Sequence, residues 1–309
     1  MGKLAIFGFV FIIQSLSVVY GQNLLAGNPQ LNLAEQTVLS DKELEFSLTY
    51  FHSNSNKYFT EDQIFNNVKY IKNAFSNYTE FKSSYGFTPK LSASIELGYF
   101  INKTVNYQDS SLNGHGLGDA AVYLKYRLIF SKNAKFTLLP AIGIKIPIGV
   151  FDQMDGNAKL PIMVQPSSGN FKYIAGVFMS KVINYRISIS SICAYEYAQL
   201  IDSKNFYYKY GDQWMLSFFA QYRFQENFST VLQFRFENKD KSHILINKVV
   251  EASGYKIVFV SPQLNYNFNK NYQISASADF PVYRYYNGTQ FASGFSFSLR
   301  LLKKIDLKY

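Results

Sequence analysis

His52 is the first residue in this chain that points to catalysis. Histidine is the usual general base near neutral pH, and it activates a serine when both side chains lie within hydrogen-bond reach. In a strand that nucleophile would stand two residues on, where the sequence has Asn54, while Ser53 points to the opposite face and Ser55 is out of register. An outer-membrane acyl hydrolase is therefore retained only as a minor alternative.

Metal and thiol chemistry find little support in the sequence. Asp152, Asp155 and Gly156 partly match a calcium loop, but the remaining ligands at alternate positions are missing. No spacing of Cys, His or carboxylate residues fits a zinc site. The single Cys193 has no partner within the chain for a disulfide. We therefore predict no metal, no cofactor and no catalytic residue, and we do not expect an enzyme.

Most other ionisable residues stand in segments where apolar and polar positions alternate. Between Asp119 and Phe130 the apolar side chains fall on one face, and Lys125 and Arg127 fall on the other. A period of two is typical of strands with one apolar face. A charge on a lipid-facing surface is costly, so charged residues belong on the inward face. Nine residues are thereby assigned to a barrel lumen: Glu96, Lys125, Arg127, Lys145, Arg223, Arg235, Glu237, Asp279 and Arg300.

Six short links alternate with six longer ones between these segments. The short links are Thr88 to Lys90, Ser131 to Ala134, Asn184, Gln225 to Asn227, Asn269 to Asn271 and the chain end at Tyr309. The longer links are Asn54 to Thr79, Val105 to Gly118, Val150 to Asn170, Gln199 to Gly211, Lys241 to Gly254 and Tyr286 to Gln290. Bacterial barrels have short periplasmic turns and long external loops. The sequence therefore predicts an all-β fold, a closed antiparallel transmembrane β-barrel of about 12 strands in the cell outer membrane.

The composition agrees with this class of protein. The aromatic share is 18%, and aromatic pairs such as Phe224 and Phe228, or Phe268 and Tyr272, flank the short links. A girdle of aromatic residues is expected at each membrane interface. The formal charge of +10 becomes +9 if Lys3 is removed with a signal peptide, and no basic run is present. Nucleic acid is therefore not a predicted partner.

The N-terminal residues predict export from the cytoplasm. Lys3 gives a positive start, Leu4 to Val19 form an apolar stretch, and Val19-Tyr20-Gly21 resembles a cleavage site. We predict a signal peptide over residues 1–21, a periplasmic arm or small plug over residues 22–42, and the barrel over residues 43–309. Membrane lipid is then an expected partner, as are the secretion and barrel-assembly machineries during transit.

One segment departs from the strand pattern. Between Glu61 and Ser76, apolar residues recur at spacings of four, three and four: Ile64, Val68, Ile71 and Phe75. This is the period of an amphipathic helix, and Thr60 stands before it as a cap. We therefore predict a short helix in the first external loop, either over the barrel mouth or against its rim.

The middle of the chain resembles a known family. The segments that carry the resemblance are Gly116-Leu117-Gly118-Asp119, Lys125-Tyr126-Arg127-Leu128, Leu139-Pro140-Ala141, Lys145-Ile146-Pro147-Ile148-Gly149, Ser168-Gly169-Asn170-Phe171, Gly176 and Ser180-Lys181. They are similar to the outer-membrane transporter group associated with the MetA pathway of phenol degradation. That group is similar to the wider FadL-like barrels. The resemblance implies passage of small hydrophobic or aromatic molecules, which makes such a solute an expected partner.

Two uses of the inward charges remain open. They line a solute pathway, or they form a network of salt bridges that fills the barrel. We favour a channel or transporter for small hydrophobic or aromatic molecules, and the alternative is a structural or assembly barrel without transport. A continuous apolar path through the lumen would favour transport, whereas a tightly packed network of charges would favour the structural role.

Overall fold

Twelve long antiparallel strands close into a barrel. The computed structural model describes residues 39–67, 70–130, 136–203, 206–245 and 248–307. Neighbours in sequence pair along the sheet, and the first strand also pairs with the last. The predicted closed barrel is confirmed. The strands are β1 Glu43–Ser55, β2 Ile71–Gly86, β3 Leu91–Tyr107, β4 Ala120–Tyr126, β5 Phe136–Ile146, β6 Lys172–Val182, β7 Ile187–Ala198, β8 Gln213–Arg223, β9 Phe228–Lys239, β10 Tyr255–Asn267, β11 Tyr272–Phe291 and β12 Ser296–Asp306.

The links differ in length between the two ends of the barrel. At one end, residues 87–90, 183–186, 224–227 and 268–271 form tight turns, and this is the periplasmic end by the rule for bacterial barrels. At the external end the links carry short strands of their own. A further short strand, Ile129–Phe130, lies at the periplasmic end, where it follows β4 and pairs with β5. The short strands at the external end are Tyr58–Glu61, Gln63–Phe65, Ser111–Leu117, Met154–Asp155, Ala158–Lys159, Ile201–Ser203, Phe206–Tyr208, His243–Leu245 and Lys248–Val249.

The predicted helix in the first external loop is wrong. A small hairpin stands there instead, and β2 already begins at Ile71 and pairs with β1 and β3. A register shift between Ile71 and Asn73 inserts one residue into β2, so Ile71 and Ala74 are both buried despite their spacing of three. The bulge in β2 therefore produces an apolar spacing of three that resembles the period of a helix. Val68 lies outside the described residues.

The described residues contain no helix, and hence no helix long and apolar enough to cross a membrane. The last external link also differs from the expected Tyr286 to Gln290. Strand β11 continues to Phe291, and only residues 292–295 connect it to β12.

Side chains alternate between an exposed apolar face and a buried face. In β5, Ile142 is 62% exposed, whereas Leu139 and Lys145 on the other face are buried. Exposed apolar residues continue around the barrel, among them Leu48, Ile95, Phe218, Leu232, Ile274 and Leu299. An apolar surface of this extent is stable against lipid rather than water. The barrel therefore spans a membrane, with its buried face inside.

Aromatic residues cluster at the periplasmic turns. The rings of Phe224 and Phe228 stack with centroids 5.7 Å apart, and Phe228 also contacts Tyr266 at 4.5 Å. Tyr185 and Phe268 are exposed at neighbouring turns. Amphipathic and apolar rings at this level match the interface between the lipid tails and the head groups.

Only part of the chain before β1 is described. The predicted signal peptide, residues 1–21, lies outside the described residues, as does the predicted arm from 22 to 38. Residues 39–42 lie against the periplasmic end of β2, where the Lys42 amide donates to the Gly86 carbonyl at 2.9 Å. A Cβ on Gly86 would stand 2.0 Å from the Ser40 carbonyl oxygen, so this approach requires glycine. The domain boundaries stay predictions.

Candidate functional site

Three of the nine ionisable residues meet in one ion-pair network. Arg235 Nε donates to Glu237 Oε1 at 2.7 Å, and Arg235 Nη2 donates to Asp279 Oδ2 at 3.0 Å. The guanidinium also lies over the Phe259 ring, 4.5 Å from its centroid. Ser261 donates a further hydrogen bond to Asp279. Two carboxylates and one guanidinium in such close contact form a rigid brace between β9 and β11.

Two further ion pairs involve partners that the sequence did not single out. Glu96 accepts a 2.9 Å contact from Lys82 on β2, and Lys145 donates to Glu196 on β7 at 2.8 Å. Lys172 adds a second contact to Glu196 at 3.7 Å. Glu196 shares the parity of the buried Ile192 and was readable from alternation. Lys82 lies beyond the predicted loop and shares the parity of the buried Glu80 and Ser84, so it was readable in the same way.

The other four predicted residues lie elsewhere on the inner surface or at the periplasmic end of the barrel. Lys125 is buried and makes no ion pair with the described residues. Arg127 is half-buried at the periplasmic end of β4, and Arg223 is exposed at the end of β8. Arg300 is buried and donates from Nη2 to Gln273 Oε1 and Ser275 Oγ, both at 3.2 Å. Contact of any of the nine with a solute stays a prediction.

One side of the barrel interior is apolar. Inward residues of β5 to β8 form a buried cluster, called here the apolar wall, with Val231 of β9 packed against it: Leu139, Ala141, Phe178, Ile192, Ala194, Met215 and Phe219. Their neighbours of opposite parity, such as Ile142 and Phe218, are exposed on the lipid side. The ion pairs and a band of serines occupy much of the remaining inner surface. The interior is therefore divided into an apolar and a polar side.

Two buried hydroxyl groups face each other across β3 and β4. Ser94 and Tyr123 are register partners, and neither Ser94 Oγ nor Tyr123 OH has a hydrogen-bond partner among the described residues. The Tyr123 ring covers Gly143, where a Cβ would stand 2.4 Å from the ring. Buried hydroxyls are usually hydrogen-bonded, so this pair is suited to a bound water or a polar group of a solute.

Loops cover the external mouth of the barrel. Residues from two links and from the ends of β2, β3 and β11 form one buried group, called here the external cluster: Tyr58, Ile71, Ala74, Val105, Leu160, Met163, Val164 and Phe291. Gly114 lies so close to this group that a Cβ there would be 2.0 Å from the Val164 carbonyl oxygen. Apolar burial therefore holds the third external loop against the first external link and the nearby strand ends.

Asp119 fastens the third external loop, residues 147–171, to the barrel rim. Its Oδ1 accepts from Ser167 Oγ at 2.6 Å and from the Ser168 amide at 3.1 Å, and Ser168 Oγ donates to Oδ2. Lys103 Nζ donates to the Gln165 carbonyl at 3.0 Å. Tyr210 OH donates to the Ser168 carbonyl at 3.1 Å, and burial raises the pKa of Tyr210 well above its ordinary value. The tyrosine therefore stays protonated and remains a donor.

A cavity of about 620 Å³ opens at the periplasmic end. Phe178 and Phe219 of the apolar wall line part of it, and Arg300 and Gln263 line another part. Its volume is in the range of small-molecule pockets. The barrel thus has a covered external mouth, a divided interior and a periplasmic cavity.

His52 is not placed as a catalytic base. Its Nδ1 pairs with Asn77 Oδ1 at 2.8 Å, and its ring lies against Phe297 with centroids 5.3 Å apart. Ser53 pairs with Ser76 instead. This geometry gives the acyl-hydrolase hypothesis no support. The described residues contain no group of three His, Cys, Asp or Glu side chains that could hold a metal ion.

Comparison with known proteins agrees with this architecture. An outer membrane channel from Pseudomonas putida F1 has a similar fold, with a TM-score of 0.70, 13% sequence identity, and coverage of 86% of this chain and 97% of that chain. The NanC porin matches with a TM-score of 0.52 and 15% identity, covering 84% of this chain and 100% of that chain. No curated protein matches the sequence.

These likenesses establish the fold of an outer-membrane barrel. The family model described as "Putative MetA-pathway of phenol degradation" matches residues 57–301, well over half of the chain and more than the segments that first carried the resemblance. The chain is therefore an outer-membrane β-barrel, and it belongs to the family described as "Putative MetA-pathway of phenol degradation".

Proposed function

We propose that this barrel passes small hydrophobic or aromatic molecules across the outer membrane. The observation that carries the proposal is the apolar wall on the inner face of β5 to β8. The lumen of a water-filled porin is polar, because ions and sugars cross it in hydrated form. Leu139, Phe178, Ile192, Met215 and Phe219 inside a barrel are instead suited to contact an apolar solute.

The polar side of the interior takes a supporting part in this proposal. Arg235 contacts both Glu237 and Asp279, so the three charged side chains are held against one another rather than free to move toward a passing molecule. Their rigid contacts hold β9 and β11 in register beside the apolar wall. A solute then travels along the apolar side. The hydroxyls of Ser94 and Tyr123, which have no hydrogen-bond partner among the described residues, are placed to pair with a phenolic or alcoholic group.

The family description and the Pseudomonas putida channel support the same proposal. The family description names phenol degradation, and phenol joins an aromatic ring to one hydroxyl. The periplasmic cavity then serves as the exit, and the covered external mouth must open for entry. Passage therefore requires the third external loop to move.

A structural barrel without transport is the second candidate, and the three ion-pair groups favour it. If the ion pairs only brace the barrel, no solute enters the interior, and none contacts the apolar wall. The two candidates therefore differ in whether a small aromatic molecule occupies the space beside the apolar wall.

Cysteines at two adjacent positions, each present in a separate protein, test the proposal. Ala194 faces inward, and native Cys193 faces the lipid. In a Cys193→Ser background, Ala194→Cys in purified protein should react with a small maleimide, and excess phenol should slow that reaction. Phenol should leave the reaction of native Cys193 unchanged. Equal rates at position 194 with and without phenol would overturn the proposal and favour the structural barrel.

A further inference from the structure

Lys125 is a buried lysine without a counter-charge in contact. It is 4% exposed on the inner face of β4, and it makes no ion pair and no side-chain hydrogen bond with the described residues. An ammonium group has three donors, and burying it without an acceptor is unfavourable for folding. Buried polar groups of this kind usually bind a water molecule, an ion or a ligand.

The charged groups that act on Lys125 are in contact with other side chains. Lys82 repels it, and Glu96 and Glu45 attract it without touching it. Glu96 Oε1 lies 2.9 Å from Lys82 Nζ, and Glu45 Oε2 lies 3.5 Å from Lys304 Nζ. Each of these carboxylates thus has another lysine as its nearest cation. The position beside Lys125 therefore suits an anionic group that comes from outside the chain.

Ser94 places a hydroxyl group next to this ammonium. Ser92 on β3 is the register partner of Lys125, and Ser94 is the register partner of Tyr123. Ser94 is therefore a diagonal neighbour of Lys125, at a distance that a long side chain spans. Both Ser94 Oγ and Tyr123 OH are buried without a hydrogen-bond partner among the described residues. Two neighbouring strands thus bring polar groups that lack partners to one part of the inner face.

The apolar wall begins on the next strand. Ala141 of β5 is the register partner of Lys125, and Leu139 stands two residues from it on the same face. An inorganic anion makes no use of such side chains, and a neutral hydrocarbon makes no use of the ammonium. A ligand that satisfies both carries an aromatic or apolar body and one anionic group.

We propose that Lys125 and Ser94 bind the carboxylate of a small aromatic acid, whose ring lies on the apolar wall beside Ala141 and Leu139. The inference rests on the proposed function, because it names a solute class for one point of the same pathway. It goes further in assigning a charge preference to the interior. A neutral phenol pairs with the hydroxyls alone, whereas a carboxylate also supplies the counter-charge that Lys125 lacks among the described residues.

Benzoate and benzamide form a matched pair of probes. They have the same ring and nearly the same size, but only benzoate is an anion at neutral pH. Calorimetry on the purified full chain in detergent should show benzoate binding and at least about tenfold weaker benzamide binding. Acetate should compete poorly with benzoate, because it has no ring to place on Ala141 and Leu139.

Variants of the two polar residues locate the site. Lys125→Met should lower benzoate affinity at least about tenfold and change benzamide affinity much less, since only the charge-assisted hydrogen bond is lost. Ser94→Ala should lower benzoate affinity by roughly threefold to tenfold, as expected for one neutral donor. Lys90→Met removes a lysine from an exposed periplasmic turn, and it should bind benzoate as the wild type does.

Two results in the wild type would overturn the inference without relying on a variant that folds: equal affinity for benzoate and benzamide, or competition by acetate as strong as by benzoate. A folded Lys125→Met with unchanged benzoate affinity would also overturn it. If phenol protects a cysteine at position 194 but benzoate does not bind, only the site for an aromatic acid is rejected. If benzoate binds through Lys125 and phenol gives no protection, only passage of neutral aromatics is rejected.

Discussion

At the scale of single residues, the buried charges of the interior are of two kinds. Lys145 is paired with Glu196, whereas Lys125 is equally buried and has no ion pair with the described residues. A buried ammonium without a counter-charge is unfavourable for folding. Removing a paired ammonium is costly, because its carboxylate is then left buried without a counter-charge. The two lysines of the same inner surface should therefore differ in their effect on stability.

Replacing each lysine by methionine should therefore have opposite consequences. Lys145→Met leaves the Glu196 carboxylate with only the longer contact to Lys172, and should lower the free energy of unfolding by about 3 kcal/mol. Lys125→Met should leave stability unchanged or raise it. Urea unfolding in lipid vesicles, followed by the fluorescence of the single tryptophan Trp214, measures both. Equal losses for the two variants would contradict this distinction.

The network around Arg235 should be the most sensitive point of the interior. Arg235→Met leaves the buried Glu237 and the half-buried Asp279 without their cation, so we expect a loss of about 3–5 kcal/mol in the same unfolding experiment. Lys241→Met is the matched control, because its partner Glu251 lies in an exposed loop, and it should cost less than about 1 kcal/mol. Similar losses for both would mean that Arg235 does not brace the barrel.

Alternation assigns each charge to a face, but it does not assign its partner. The parity of β9 and β11 is enough to put Arg235 and Asp279 on the same side as each other. Their contact depends on how β10 staggers between these strands, with a register shift between Val258 and Phe259. No local pattern encodes that stagger, because it follows from closure of the whole barrel.

At the scale of elements, the loop over the external mouth is the part that sequence patterns described least well. The helical period near Ile71 came from a bulge, and the third external loop has almost no periodic structure, with one two-residue hairpin at Met154–Asp155 and Ala158–Lys159. Its position is determined by single contacts, above all those of Asp119 with Ser167 and Ser168. Such contacts join residues nearly fifty positions apart, so a local window does not reveal them.

Releasing the third external loop should open the mouth. Asp119→Ala removes the acceptor for Ser167 and Ser168, so the loop should leave the rim more often. We expect faster entry of phenol into vesicles that contain this variant, while unheated and boiled samples still differ in gel mobility as they do for the wild-type barrel.

Asp155→Ala is the control for this experiment, since Asp155 is an exposed residue of the same loop. It removes the same charge without loosening the rim, and phenol entry should match the wild type. Unchanged entry in Asp119→Ala, with the barrel intact, would show that this contact does not hold the mouth closed.

At the scale of the whole molecule, the sorting of link lengths fixes the orientation in the membrane. In a Cys193→Ser background, cysteines at Asp62 and Gly156 should react with an impermeant thiol reagent on intact cells, because both positions are exposed in external loops. Cysteines at Pro89 and Lys270 should be protected until the outer membrane is permeabilised. The reverse pattern would mean that the barrel is inserted the other way round.

The interior of the barrel shows why the fold was easier to predict than the function. Loop lengths and the period of two were enough to give a closed barrel of about 12 strands, because both are repeated along the whole chain. The apolar wall is built from Leu139, Phe178, Ile192 and Phe219 on four different strands, and each strand alone reads as an ordinary alternation. The pairing registers of β5 to β8 place these residues side by side, and the claim of transport depends on that arrangement.

The most direct test of that claim is the rate at which phenol enters vesicles whose outer leaflet contains lipopolysaccharide. Wild-type protein should give faster entry than protein-free vesicles. Ala194→Trp, which fills the space beside the apolar wall, should return the rate to the protein-free level, whereas Ala175→Trp on the lipid face of β6 should not. Entry at the protein-free rate with folded wild-type barrel, or equal rates for Ala194→Trp and wild type, would contradict passage through the barrel interior.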